Sequence, residues 1–154
     1  MGEPDKPAPD SAAELKARAL RHLVRREHSR LELERKLAPH AQSADAVTAV
    51  LDLLLSRKHQ SDERFAEERA RVLARKYGPA RIRYDLKARG VSEEISERVS
   101  SAEDELEKAK AILARKYREP SASSTPTREE RARRARFLQG RGFSRDVIRR
   151  LLEI

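Results

Sequence analysis

Leu86-Lys87-Ala88-Arg89-Gly90-Val91-Ser92-Glu93-Glu94-Ile95 returns 52 residues later as Leu138-Gln139-Gly140-Arg141-Gly142-Phe143-Ser144-Arg145-Asp146-Val147. Each copy reads as a helix end, a glycine stop, a buried hydrophobe, a serine N-cap and a new helix. An earlier counterpart, Leu37-Ala38-Pro39-His40-Ala41-Gln42-Ser43, lies 49 residues before Leu86, and Ser43 again heads an apolar run. A period of about fifty residues implies one helical unit used several times. Three copies fit in 154 residues.

Working outward, helical periodicity begins at Ser11. Leu15, Ala19, Leu23 and Arg26 fall on one face of a first helix. Ser29-Arg30-Leu31-Glu32 is a capping box for a second helix that points Leu33 and Leu37 inward. Pro39 stops it. The third helix runs from Ser43 to about Arg57 and buries Val47, Val50, Leu51 and Leu54.

The second copy opens at Ser61, with Phe65, Ala66, Val72, Leu73 and part of Tyr77 on its inner face. Gly78-Pro79 closes one helix and opens the next, which carries Ile82 and Leu86. A third helix follows Ser92, with Ile95 and Val99. The last copy places Leu106, Ala109, Ile112, Leu113 and Tyr117 on one helix. Thr127-Arg128-Glu129-Glu130 caps the next, and Val147, Ile148, Leu151 and Leu152 belong to the last.

The expected fold is all-α: three tandem three-helix repeats forming an elongated, curved molecule. The boundaries read as a disordered tail over 1–11 and repeats over 12–58, 61–102 and 104–154. A Ser/Thr/Pro-rich loop over 119–126 interrupts the last. Each triplet alone has too few core side chains to offset its ordering entropy comfortably, so neighbouring triplets should pack together.

Composition narrows the function. Charged residues make up 40% and aromatics 4%, which suits thin helical layers and argues against one thick core. The absence of cysteine excludes disulfides and thiolate metal sites. His22, His28, His40 and His59 form no metal-ligand spacing, so no metal or cofactor is expected. No apolar run approaches the roughly 20 residues that span a bilayer. The first residues lack the apolar stretch of a secretory signal, and a soluble cytoplasmic protein is expected. No nucleophile–base set, phosphate loop or paired-carboxylate motif is visible, so the chain does not read as an enzyme.

The net charge of +9 suggests a polyanion or an acidic protein surface as partner. That charge is segregated. Residues 69–89 carry a net +7 and residues 128–150 a net +6, while residues 92–107 carry −6. Arg71 with Arg75, and Arg83 with Lys87, are like charges at i, i+4, which cost a few tenths of a kcal/mol and are not favoured by folding. They mark a functional basic face together with Lys76. Arg131, Arg134, Arg136, Arg141 and Arg145 mark a second, arginine-dominated one, and the planar guanidinium suits phosphate or carboxylate. Arg81, Asp85 and Arg89 read instead as a structural ion-pair ladder. Phe65, Phe137 and Phe143 read as core or cap residues, while Tyr77 and Tyr84 are candidates to reach the surface. Base-specific reading of nucleic acid is not supported.

Four segments resemble RecX regulatory proteins. Residues 25–37 are similar to the family's R-x-x-S-x-x-E-L-x-x-K-L opening, and Asp62-Glu63-Arg64-Phe65-Ala66 to its D-x-x-F-A segment. Lys76-Tyr77-Gly78-Pro79-Ala80-Arg81-Ile82, continued by Leu86 through Val91, and Phe137-Leu138-Gln139-Gly140-Arg141-Gly142-Phe143 resemble its later motifs. The match covers the chain from about Leu15 onward. The resemblance implies a non-catalytic monomer of three tandem three-helix repeats that lies in the groove of the RecA filament on single-stranded DNA. It also implies suppression of RecA's ATP hydrolysis, strand exchange and LexA-directed coprotease activity, and so modulation of recombination, DNA repair and the SOS response. The strand itself would be bound weakly or only with RecA. The competing reading is a free-standing, non-specific DNA-binding helical protein, because three-helix units also serve as helix-turn-helix modules. Arg134 stands at the slot matching Ile82, so the third repeat is expected to pack loosely there or to use that arginine for contact.

Overall fold

Side-chain caps decide where these helices begin. In the computed structural model Ser11, Ser29, Ser43, Ser92, Thr127 and Ser144 each accept a hydrogen bond from the backbone N–H three residues on. Ser29 and Thr127 complete reciprocal capping boxes with Glu32 and Glu130. The structure describes residues 7–101, 103–117 and 125–154. These hold nine α-helices and no strand: α1 (Ala12–Arg25), α2 (Arg30–Leu37), α3 (Ala44–Ser56), α4 (Asp62–Leu73), α5 (Pro79–Ala88), α6 (Glu93–Val99), α7 (Glu105–Lys116), α8 (Arg128–Gly140) and α9 (Arg145–Leu152). No helix among the described residues is long and apolar enough to cross a membrane. The chain divides into two compact units, Met1–Phe65 and Ala66–Ile154.

In the first unit α1, α2 and α3 enclose Leu15, Ala19, Leu33, Leu37, Val47, Val50, Leu51 and Leu54. Pro39 acts as expected: α2 stops at Leu37 and tightens into a 3-10 turn, Ala38–His40. Arg26 does not share the inner face of α1. It caps that helix, and its guanidinium pairs with Glu32 at 3.0 Å. Below it, a buried polar corner joins three segments. The Gln60 amide donates to the His28 carbonyl at 3.3 Å and to Asp62 Oδ1 at 2.9 Å, and that carboxylate also accepts the Arg30 N–H at 2.8 Å. Part of the segment read as a tail is engaged. Asp10 pairs with Arg18 at 2.8 Å, its N–H donates to the His40 carbonyl, and Ser11 caps α1. Residues 1–6 of that segment, and residues 119–124 of the expected loop, lie outside the described residues.

In the second unit the glycine joints form as their spelling predicts. Gly90 and Gly142 take the left-handed conformation, at φ 82° and 92°. Val91 and Phe143 then donate back to the Leu86 and Leu138 carbonyls. Val72 departs from its expected core role: it is half exposed, and Ala70 is the buried residue of that turn. The second core, around α7, α8 and α9, holds Ala109, Ile112, Leu113, Leu138, Phe143, Val147, Ile148 and Leu152. Of α8 only Leu138 is buried. One buried leucine contributes about 1.5–3 kcal/mol, well short of ordering a thirteen-residue helix. The capping box, with half-buried Ala135 and Phe137, must supply the rest.

Candidate functional site

Three helix C-termini in the second unit approach one another. The turn after α4 keeps Tyr77 bonded to the Leu73 carbonyl before Gly78-Pro79 opens α5. Tyr117 caps α7, and Arg141 caps α8 ahead of Gly142. Between these ends lies an open groove of about 460 Å³, lined by Arg75, Lys76, Tyr77, Ile112, Arg115, Lys116, Phe137 and Arg141. Five of the eight are cations and none is an acid.

Helix ends attract cations without any ligand, so that attraction must be weighed first. Each C-terminus carries about −0.5 of an elementary charge, about −1.5 for three. Five cations exceed this by roughly 3.5 charges, so helix ends alone do not account for the groove. One cation does serve that purpose: Arg115 donates to the Arg75 carbonyl at 2.6 Å.

Arg141 is held differently. Its guanidinium lies 5.3 Å from the Tyr77 ring centroid and 5.1 Å from that of Phe137. Arg81 stacks on Tyr77 at 5.1 Å, Lys116 sits 5.7 Å from Phe137, and Arg134 sits 5.0 Å from Tyr117. Tyr117 meets Phe137 edge to face at 6.0 Å. Aromatic faces attract cations without neutralising them. The network therefore orders the basic side chains and leaves their charge in place.

The structure brings Arg75, Lys76 and Arg141 together in this groove. Arg71, one turn before Arg75, lines a separate cavity of about 550 Å³ with Arg98, Lys108 and the acids Glu67 and Glu105. Lys87 closes on Glu93 at 3.0 Å. Arg83, Arg131, Arg134, Arg136 and Arg145 do not line the groove, and Arg134 lies over the Tyr117 ring. The expected Arg81–Asp85–Arg89 ladder is only half formed. Asp85 binds Arg69 at 2.9 Å and Arg89 at 3.1 Å, while Arg81 is drawn to Tyr77.

Arg115, Lys116 and Phe137 are groove residues that the periodicity argument missed. A signal for the first two was present: Leu73-Ala74-Arg75-Lys76-Tyr77 recurs letter for letter as Leu113-Ala114-Arg115-Lys116-Tyr117. The offset is 40 residues, which breaks the fifty-residue period. Phe137 lies at an apolar position of α8, and only the neighbouring helix ends turn it toward the groove.

Residues 61–99 match the family described as RecX, second three-helix domain, and residues 103–152 match RecX, third three-helix domain. The regulatory protein RecX of Ralstonia pickettii is 42% identical over 148 residues, covering 95% of this chain and 91% of its own. The chain belongs to the RecX family. Similar RecX proteins include that of Herbaspirillum seropedicae, 45% identical over 137 residues, with 88% of this chain and 86% of the relative covered. The crystal structure of RecX from Lactobacillus salivarius has the same fold, with a TM-score of 0.76 at 23% identity, covering 92% of this chain and 94% of that one. Tandem three-helix repeats are thus the RecX architecture, and the curated relatives carry the name of regulatory proteins.

Proposed function

We propose that this chain is a non-catalytic regulator of the RecA recombinase that binds the RecA–single-stranded DNA filament along its groove. Bound there, it lowers RecA's ATP hydrolysis, strand exchange and LexA-directed coprotease activity, and so tempers recombination, DNA repair and the SOS response. The observation that carries this reading is RecX kinship across 95% of the chain. The groove supports it physically, with five cations and no acid among the described residues that line it, because a filament groove floored by phosphate presents the opposite charge. The other basic residues, Arg71, Arg83, Lys87, Arg131, Arg134, Arg136 and Arg145, serve as secondary contacts to the filament. The protein acts in the cytoplasm as a monomer and needs no cofactor.

The deciding experiment titrates the chain into a RecA ATPase assay on single-stranded DNA. Hydrolysis should fall at or below equimolar protein, and unchanged hydrolysis would sink the proposal. A direct DNA-binding role is the second reading, favoured by the surplus charge in the groove. It requires tight binding to DNA without RecA and a steep loss of affinity with salt.

A further inference from the structure

We propose that the groove between the helix ends is a clamp for the sugar–phosphate backbone of a single strand, with Arg141 as its fixed anchor and the two Arg-Lys pairs as its walls. The inference rests on the filament-binding reading above and names the site that would meet the strand.

Three observations converge on it. The first is the duplicated Leu-Ala-Arg-Lys-Tyr segment. It ends α4 and α7, two helices of different repeats, and both copies deliver their Arg-Lys pair to the same groove. Core packing requires the leucine of this segment but not two adjacent cations at a helix end. The Arg115 bond to the Arg75 carbonyl ties the two copies together.

The second is the state of Arg141. Its guanidinium is fixed beside two rings, yet among the described residues it makes no hydrogen bond or ion pair. Guanidinium offers five N–H donors in a rigid fork, and phosphate accepts two of them in parallel. A guanidinium ordered in advance loses little entropy on binding, so Arg141 is prepared for a phosphate oxyanion before one arrives.

The third is the composition of the walls. With no acid among the described residues that line the groove, a strand bound there meets no repulsive charge from them. The carboxylates of an acidic protein surface could meet the same cations. A strand is favoured because the groove is open to solvent and gathers five cations, and a phosphate backbone brings several negative charges to one such site. Tyr77 and Phe137 act here as positioning residues: their faces are occupied by Arg141, so stacking of bases is not part of the proposal.

The test uses the full chain and a fluorescein-labelled oligothymidylate, with affinity measured by anisotropy across a salt series. The same variants are assayed for inhibition of RecA's ATPase. Arg141→Ala should weaken strand binding about tenfold, the expectation for a charged hydrogen-bonding contact. It should also flatten the log–log salt slope by about 0.7, the value for one phosphate contact on a single strand. Arg141→Lys should retain the slope and lose affinity, because charge remains and the fork does not. Tyr77→Leu should lose affinity at unchanged net charge. Lys76→Ala alters an exposed side chain outside the core, so it reports even if an Arg141 variant folds poorly, and it too should flatten the slope. Lys110→Ala, on an exposed face of α7 outside the groove, should behave as the parent.

Parental affinity and slope in both Arg141→Ala and Lys76→Ala would overturn the clamp. So would lost RecA inhibition at unchanged strand affinity, which would assign the groove to an acidic protein surface. Failure of the parent chain to inhibit RecA would instead refute the regulator reading, leaving the clamp to be judged on the strand titration alone.

Discussion

Gly78 and Gly142 meet backbone to backbone. The Gly78 N–H donates to the Arg141 carbonyl at 2.7 Å, and a β-carbon on Gly78 would stand 2.6 Å from the Gly142 carbonyl oxygen. The Ala80 N–H completes the seam by donating to the Gly142 carbonyl at 3.2 Å. A turn of the second repeat is thereby locked to the joint of the third, and Tyr77 is set beside Arg141. Gly78→Ala should destabilise the second unit by about 1–3 kcal/mol, since the obstacle is backbone and cannot rotate away. Gly140→Ala, with nothing within 4 Å, should be neutral or slightly stabilising. Urea midpoints of the two variants compare them directly; equal midpoints would refute the close-contact argument.

Asp85 is the hub of the ion pairs on α5. Burial pushes its carboxyl up, but the hydrogen bond and charge of Arg69, joined by Arg89, outweigh this and hold it below 3.8. A carboxyl lowered in the folded state stabilises above its unfolded value, and the contribution disappears as pH falls through the folded value. Asp85→Asn should therefore cost about 1–2 kcal/mol at pH 7, between exposed and buried pairs. Chemical denaturation at neutral pH and near pH 2.5 tests this, and the gap between variant and parent should close in acid.

His28 is buried and neutral. Its Nδ1–H donates to the Arg26 carbonyl at 3.0 Å, and Nε2 accepts from Lys36 Nζ at 2.9 Å. Burial foremost, with the charges of Arg26 and Lys36, lowers its pKa from the ordinary 6.5, against an opposing pull from the Arg26 carbonyl and Glu32. Neighbouring His22 is lowered too, by burial and then by Lys36. Below pH 6.5 the unfolded chain takes up protons that the folded chain resists, so stability should fall from pH 7.5 to 5.5. His28→Gln should reduce that slope without abolishing it, because His22 still titrates. Denaturant midpoints across this range check the expectation, and a slope equal to the parent's would contradict it.

Glu105 is a buried acid with a structural task. It opens α7, and its Oε1 accepts the Ser144 N–H at 2.7 Å, tying α7 to the start of α9. Glu105→Ala should cost about 1–3 kcal/mol by leaving that N–H unsatisfied. Glu105→Gln, which keeps an acceptor oxygen, should lose less, and thermal melting should rank the two in that order.

Much of the fold is legible in the letters. Leu-x-x-Arg-Gly-hydrophobe-Ser determines a helix end because glycine alone enters the left-handed region cheaply and serine supplies the next cap. Most core positions follow from the 3.6-residue period. Val72 and Arg26 are exceptions, because period places a residue on a stripe without saying how wide the neighbouring helix is or where the helix ends. The groove was legible only in part. Arg75 stood out as one of two like charges at i, i+4, Lys76 as its neighbour on that basic face, and Arg141 as part of the arginine-dominated segment. Arg115 and Lys116 were hidden by reading α7 for its apolar face alone. Lys87 shows the converse, since its partner Glu93 lies across a glycine joint and outside the helical spacing.

Local chemistry therefore determined the helices, their caps and their joints, because each depends on neighbours within about four residues, while composition alone determined the sign of the charge. Tertiary structure decided which cations meet. Gly78 and Gly142, 64 positions apart, approach only because neither carries a side chain. That contact brings Tyr77 to Arg141 and the second Arg-Lys pair to the first. Charge repulsion among these residues opposes the arrangement, so local preference could not announce it. The packing of α7, α8 and α9 and the rings beside Arg141 hold it in place.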